Sequence, residues 1–174
     1  MSTRAVAVAT IRLRGLAPVV AAETRLLVLG SFPSAASLGE AQYYAHPRNQ
    51  FWPILSTLWR VDLRALSYAD RLIEVRRRGL GIWDVYASCR REGSLDSAIE
   101  EAAHNDIAAL VTTLPALRAI AHNGGESARA MKWTRGLASE VVQLPSSSPA
   151  NASWSLARKV DAWRAVFSRY GLMS

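Results

Sequence analysis

The sequence predicts an α/β protein built on a mostly parallel central sheet of about four strands, with helices on both faces. Three observations lead there. Apolar runs of strand length lack polar alternation, which is the pattern of strands covered on both sides. The runs end on glycine, proline or short polar clusters, which stop the strand. Segments with apolar residues at helical spacing lie between the runs, and that alternation gives parallel strands with helical crossovers. With 174 residues, half of them hydrophobic, the chain has the size of one domain, residues 1–174, with a full core.

Residues 5–13, AVAVATIRL, read as an edge strand or an extended arm, and residues 1–25 together form that N-terminal arm. Leu26 to Leu29 is the first buried strand, and Gly30-Ser31-Phe32-Pro33 ends it. Phe51, Ile54, Leu55, Leu58 and Trp59 then recur at helical spacing. Pro53 is tolerated in a first turn, and Asn49 is placed to cap the helix. A second helix is expected from Tyr68 to Arg78, ending at Gly79, with Arg76 to Arg78 where positive charge suits the helix dipole. Gly81 to Tyr86 reads as a second buried strand, with Asp84 as its one charged residue. A lone buried carboxylate is costly, so Asp84 is either paired or functional.

The next stretch, Ala87 to Asp96, is polar. A short helix capped by Ser94 is expected from Ser94 to Ala103, and another, capped by Asp106, from Ile107 to Thr113. Leu117 to Ala121 is a third strand, closed by His122-Asn123-Gly124-Gly125. Glu126 to Trp133 reads as helix and Glu140 to Leu144 as a fourth strand. A final helix from about Ser153 to Tyr170 sets Leu156, Val160, Ala162, Trp163, Val166 and Phe167 near one broad apolar face. The loops after Leu29, Ala121 and Leu144 each follow a strand. They gather at one rim of the sheet, where open α/β sheets bind their ligands.

Lys plus Arg exceed Asp plus Glu by 21 − 14 = +7, and only Lys132 and Lys159 are lysines. The planar fork of arginine binds phosphate oxygens in pairs, which suits a nucleic-acid partner. A GC-rich genome that encodes arginine by default explains the count equally well, and charge alone does not choose. The single cysteine, Cys89, excludes an internal disulfide framework and a cysteine-rich metal site. No apolar stretch is long enough to span a bilayer, and Arg4, Arg12 and Arg14 break up the N-terminal residues against a signal-peptide reading. A cytoplasmic protein with no membrane partner is expected.

Two stretches concentrate chemistry. The first follows the first strand and reads GSFPS…YYAHPRNQFW, from Gly30 to Trp52, bringing aromatic, amide, imidazole and guanidinium groups together. The second, LPSSSPAN from Leu144 to Asn151, follows the fourth strand. These two motifs resemble the signature loops of the uracil-DNA glycosylase superfamily, in its hypoxanthine (deoxyinosine) DNA glycosylase branch. The likeness extends through GIWDVYASCRREGSLDSAI and so covers most of the chain from Leu26 to Asn151. It implies a three-layer α/β/α sandwich and cleavage of the N-glycosidic bond of a deaminated base flipped out of DNA. It also implies a monomeric enzyme that needs neither metal nor organic cofactor.

In many members of the superfamily a catalytic Asp or Asn occupies the position of Phe32, and phenylalanine cannot orient water. In the hypoxanthine branch the catalytic amide resembles Asn49. That amide either holds the attacking water with its carbonyl oxygen or donates from its NH2 to the departing base. A bare N-cap is the competing account of Asn49. Tyr44 matches the aromatic that stacks on the flipped base, with core packing as its alternative. Phe32 supplies a second aromatic wall, and Gly30 and Ser31 offer backbone N–H groups at a close approach.

His46 binds a phosphate or donates to the leaving group, or is simply a hydrogen-bonded loop histidine. Arg48 is in reach of a phosphate. Ser146, Ser147 and Ser148 suit phosphate gripping, and Pro149, Ala150 and Asn151 form the tip that enters the minor groove. That tip is small and lacks the bulky apolar wedge of some relatives. Asp84 is placed to accept N1–H of hypoxanthine, a donor that adenine lacks, or to pair with an arginine. Asn123 is a similar rim candidate. No lysine lies in either loop, so a Schiff-base lyase step is not expected. A catalytically silent nucleic-acid-binding module of the same fold is the alternative, with Phe32 as its main support. A small-molecule hydrolase finds no G-x-S-x-G elbow to support it.

Overall fold

The computed structural model describes residues 11–173. Residues 5–10, most of the strand or arm expected over 5–13, lie outside them. In chain order the strands are β1 (Arg12–Arg14), β2 (Leu26–Gly30), β3 (Leu80–Asp84), β4 (Tyr86–Arg90), β5 (Glu100–His104), β6 (Ala119–Asn123) and β7 (Glu140–Leu144). The helices are α1 (Ala35–Glu40), α2 (Phe51–Trp59), α3 (Tyr68–Arg77), α4 (Ile107–Thr112), α5 (Gly125–Ala128), α6 (Met131–Thr134) and α7 (Leu156–Arg169). Four strands form the parallel sheet, in the order β3-β2-β6-β7. The α/β class and the strand count are as the sequence predicts.

Every residue of β2 is buried, and alternate side chains serve two cores, as a period of two requires. Leu26 and Val28 join the core that holds Phe51, Leu55, Trp163 and Phe167 from α2 and α7. Leu27 and Leu29 join the opposite core with Phe32, Val85, Ile107 and Ile120. Helices therefore cover both faces. The chain leaves β2 for β3 on one side and later returns to β6 on the other. This reversal of strand order opens a crevice outside the carboxyl ends of β2 and β6.

Four expectations change. The strand expected over Gly81 to Tyr86 is two strands: Val85 N–H donates to the Gly30 carbonyl at 2.8 Å, and the chain then turns into β4. That strand continues through the polar stretch to Arg90 and centres an antiparallel sheet, β1-β4-β5. The helix expected over Ser94 to Ala103 is a single 3-10 turn, Asp96–Ala98, followed by β5. The open edge of β4 recruits residues 100–104 despite their helical propensity, and Glu101 takes φ +48 at the irregular register, where no α-helix continues.

The helix expected over Glu126 to Trp133 is broken into α5 and α6. Buried His122 reaches both, with its ring nitrogens 2.8 Å from Ser127 Oγ and 2.8 Å from Thr134 Oγ1. The last helix starts at Leu156, and its cap is Ser155, whose hydroxyl accepts Arg158 N–H. Leu156 is 37 % exposed and does not join the apolar face. Among the described residues no helix is long and apolar enough to cross a membrane.

Candidate active site

The carboxyl ends of the parallel strands open into a half-enclosed cavity of about 830 Å³, within the range of ligand pockets. Gly30, Asp84 and Asn123 are buried residues at the ends of three adjacent strands, and they form its deep part. Gly30 has a steric reason to be glycine. A Cβ there would lie 2.5 Å from Asp84 Oδ1 and 3.3 Å from Tyr44 Oη, so its absence admits the carboxyl and the phenol to one small space.

Asp84 is 4 % exposed, and its Oδ2 has no hydrogen-bond partner among the described residues. Burial, then the charge of Asp96, pushes its carboxyl up to about 7, against the pull of the Arg91 guanidinium. Arg91 does not pair with it directly. That side chain donates to the Pro33 carbonyl and lies 5.2 Å over the Phe32 ring, fixing the aromatic wall. Of the two accounts open from sequence, a paired Asp84 is therefore not formed among the described residues.

Tyr44 has φ +54, an uncommon backbone state for a bulky residue and one that clusters at functional sites. One face of its ring stacks on Phe51 at 3.9 Å and 15°. Its hydroxyl accepts from Asn123 Nδ2 at 3.2 Å. Burial, and secondarily Asp84, raises the pKa of Tyr44 above the usual phenol value. Asn49 Oδ1 accepts Phe51 N–H at 2.9 Å, so the capping contact is formed although Gln50 holds the N-cap position itself. That bond also fixes the amide orientation and leaves Nδ2 as a donor with no partner among the described residues, on a side chain that lines the cavity.

Asn123 is more engaged than its rim position implied. Its Nδ2 also donates to Ser147 Oγ at 2.9 Å, and its Oδ1 accepts Ser147 N–H at 2.9 Å. The amide thus ties β6 to the second loop. Ser147 is fully buried and spends its polar groups on that tie and on Gln50 N–H, which donates to its carbonyl at 2.9 Å. The hydroxyls of Ser146 and Ser148 instead accept Ser148 N–H and Ala150 N–H, which leaves their own O–H groups to donate outward. Gly124 takes φ +97 beneath Ser146, where a Cβ would come 2.9 Å from Ser146 Cβ.

Ser31, Phe32, Ala150 and Asn151 line the cavity, whereas His46, Arg48 and Pro149 stand outside its lining. The Ser31 hydroxyl donates to Asp96 Oδ1 at 2.6 Å, and His46 Nδ1 accepts Arg48 N–H at 3.1 Å.

Sequence reasoning missed four contributors. Lys159, 1 % exposed, donates from Nζ to Gln50 Oε1 at 2.7 Å. Trp163 Nε1 donates to the Pro145 carbonyl at 3.1 Å. Their i, i+4 spacing marks one face of α7 and was the available signal. Leu95 and Asp96 line the cavity from a segment taken for helix, and no sequence signal placed them there.

The model of the Uracil DNA glycosylase superfamily matches residues 17–167. A protein of Methanosarcina acetivorans named Hypoxanthine DNA glycosylase is 37% identical over 154 residues, covering 88% of this chain and 97% of that protein. Its namesake in Methanosarcina barkeri is 35% identical over 156 residues, covering 90% and 98%. The solution NMR structure of a Methanosarcina acetivorans protein superposes with a TM-score of 0.82 at 36% identity, covering 92% of this chain and 99% of the other. The match over nearly the whole chain, in sequence and in fold, makes this protein a member of the uracil DNA glycosylase superfamily.

Proposed function

We propose that this chain is a monofunctional DNA glycosylase that removes hypoxanthine, and with it uracil or xanthine, from DNA in base excision repair. It acts as a cytoplasmic monomer, and its own side chains carry the chemistry. The observation that carries this reading is a single cavity that gathers Tyr44, Asp84 and the free Nδ2 of Asn49 against the serine-rich second loop. The names of the two Methanosarcina relatives support hypoxanthine as the base.

Flipping a base costs a few kcal/mol, offset by the pocket and by phosphate contacts. The outward O–H groups of Ser146 and Ser148, with Arg48 and His46 beside the cavity, supply those contacts. The flipped base stacks on the face of Tyr44 opposite Phe51, with Phe32 as the second wall. Asp84, once ionised, accepts the N1–H of hypoxanthine, and adenine has no such donor. The C1′–N9 bond then breaks with both electrons leaving on the base, and the sugar becomes oxocarbenium-like.

Asn49 donates a hydrogen bond from Nδ2 to the departing base and stabilises its developing negative charge. Its carbonyl is already engaged by Phe51 N–H, which favours the donor role over water activation. Water adds to C1′ and gives its proton to solvent or to the expelled base. Neither lysine lines the cavity among the described residues, which supports hydrolysis without a lyase step.

The test is gel-resolved cleavage of duplexes that each carry one deoxyinosine, deoxyuridine or deoxyxanthosine. Wild type cuts the deoxyinosine strand best, and Asn49→Ala cuts it about 10²-fold or more slowly, the usual loss of one transition-state donor. Absence of product on all three duplexes would refute the function. An Asn49→Ala rate equal to wild type would refute the assigned donor.

A further inference from the structure

Extruding a base leaves a gap in the duplex, and the tip of the second loop is poorly built to fill it. Ala150 presents one methyl group, and Asn151 turns its amide back onto the Ser146 carbonyl at 3.2 Å. Leu95, 60 % exposed, lines the same cavity. A lone exposed leucine is ordinary on a protein surface, but this one is held in place. Ser94 Oγ accepts Ala35 N–H at 2.9 Å, and Asp96 Oδ1 accepts the Ser31 hydroxyl at 2.6 Å. The Leu95 carbonyl itself accepts Ala98 N–H at 3.1 Å. The isobutyl group is therefore presented outward from a backbone tied down on both flanks, so ordering it on a partner costs little.

We propose that Leu95 is the apolar wedge that enters the duplex and fills the place of the extruded base, a DNA-binding role that rests on the function proposed above. Leucine is among the side chains that insert between base steps. Its transfer from water to the stacked bases favours the gapped duplex, and its bulk delays return of the nucleotide. The two lips then divide the work. The second loop grips phosphates, and the 3-10 segment after β4 supplies the wedge.

The experiment measures binding by fluorescence anisotropy to two duplexes, one intact and one with a single tetrahydrofuran abasic nucleotide. Wild type prefers the abasic duplex, and Leu95→Ala loses about ten-fold of that preference, the effect of withdrawing a buried leucine side chain. Three results overturn the inference: no preference in wild type, a preference unchanged in Leu95→Ala (equal losses on both duplexes included), or a loss confined to Trp154→Ala, elsewhere in the cavity lining. Matched thermal midpoints show that the exposed substitution leaves the fold intact. The readout needs no catalysis. A wild type that prefers the abasic duplex but cuts no deaminated base removes the glycosylase function and leaves the wedge standing.

Discussion

Asp84→Asn exchanges the buried carboxyl for an amide of the same shape that does not titrate. In the fold the carboxyl titrates at about 7, against 3.8 for the unperturbed group. The folded state therefore holds an extra proton between those values. This contribution to stability is fully present below the unfolded pKa and is lost as pH rises through 7. About three pH units at 1.36 kcal/mol each give about 4 kcal/mol over the whole window, and about 3 kcal/mol between pH 5 and pH 9. Wild type alone does not reveal this, because His122 titrates in an overlapping window with the opposite sign. The difference between the two proteins does. In urea unfolding at pH 5, 7 and 9, Asp84→Asn gains about 3 kcal/mol on wild type, most of it between pH 5 and pH 7. The same ionisation should appear in catalysis as a rise in wild-type rate with a midpoint near 7 that the variant lacks. A stability difference that stays constant with pH would remove both the perturbed carboxyl and the base-reading role built on it.

Gly30→Ala should cost about 1–3 kcal/mol, because its Cβ would meet Asp84 Oδ1 at 2.5 Å. The same change made in Asp84→Ala should cost clearly less, and a double-mutant cycle of urea midpoints that shows no coupling would refute the contact. His122→Ala empties a buried site and removes the ring that bridges α5 and α6 through Ser127 and Thr134, and should destabilise the fold by about 3 kcal/mol, although Ser127 keeps its bond to the Leu29 carbonyl. Burial lowers the His122 pKa from 6.5 to about 4, so the unfolded chain binds more protons in that interval. The stability from neutral His122 is present above 6.5 and falls away as pH drops towards 4, and chemical unfolding at pH 4 to 7 checks whether the variant has lost that slope.

The parallel sheet was legible because its strands are dense apolar runs, and β7 even keeps the expected bounds, Glu140–Leu144. The antiparallel sheet was not. Residues 100–104, EEAAH, carry no strand signal of their own and are extended because β4 offers them an unpaired edge. Within the site, Tyr44 and Asn49 were readable from the first motif, and the structure adds how each is held. The pairing of Asn123 with Ser147 spans 24 positions, and no local pattern announces it. Leu95 was hidden for the same reason as β5: its position depends on the tertiary turn that begins at Val85.

The two signature loops work together only if their separation is fixed, and α7 is what fixes it. Lys159 is buried there, and burial lowers its pKa, an unfavourable setting for an ammonium group. Its bond to Gln50 Oε1 holds the start of α2 just after Asn49. One turn along, Trp163 holds the Pro145 carbonyl at the root of the second loop. Between those anchors Gln50 N–H and Ser147 O close the gap directly at 2.9 Å. Loops are ordinarily the mobile parts of a fold, yet a site that must grip a phosphate and a base of one nucleotide tolerates little drift between its halves. A single helix pinning both loops through side chains four residues apart meets that need, which gives the buried lysine a structural reason within the proposed chemistry.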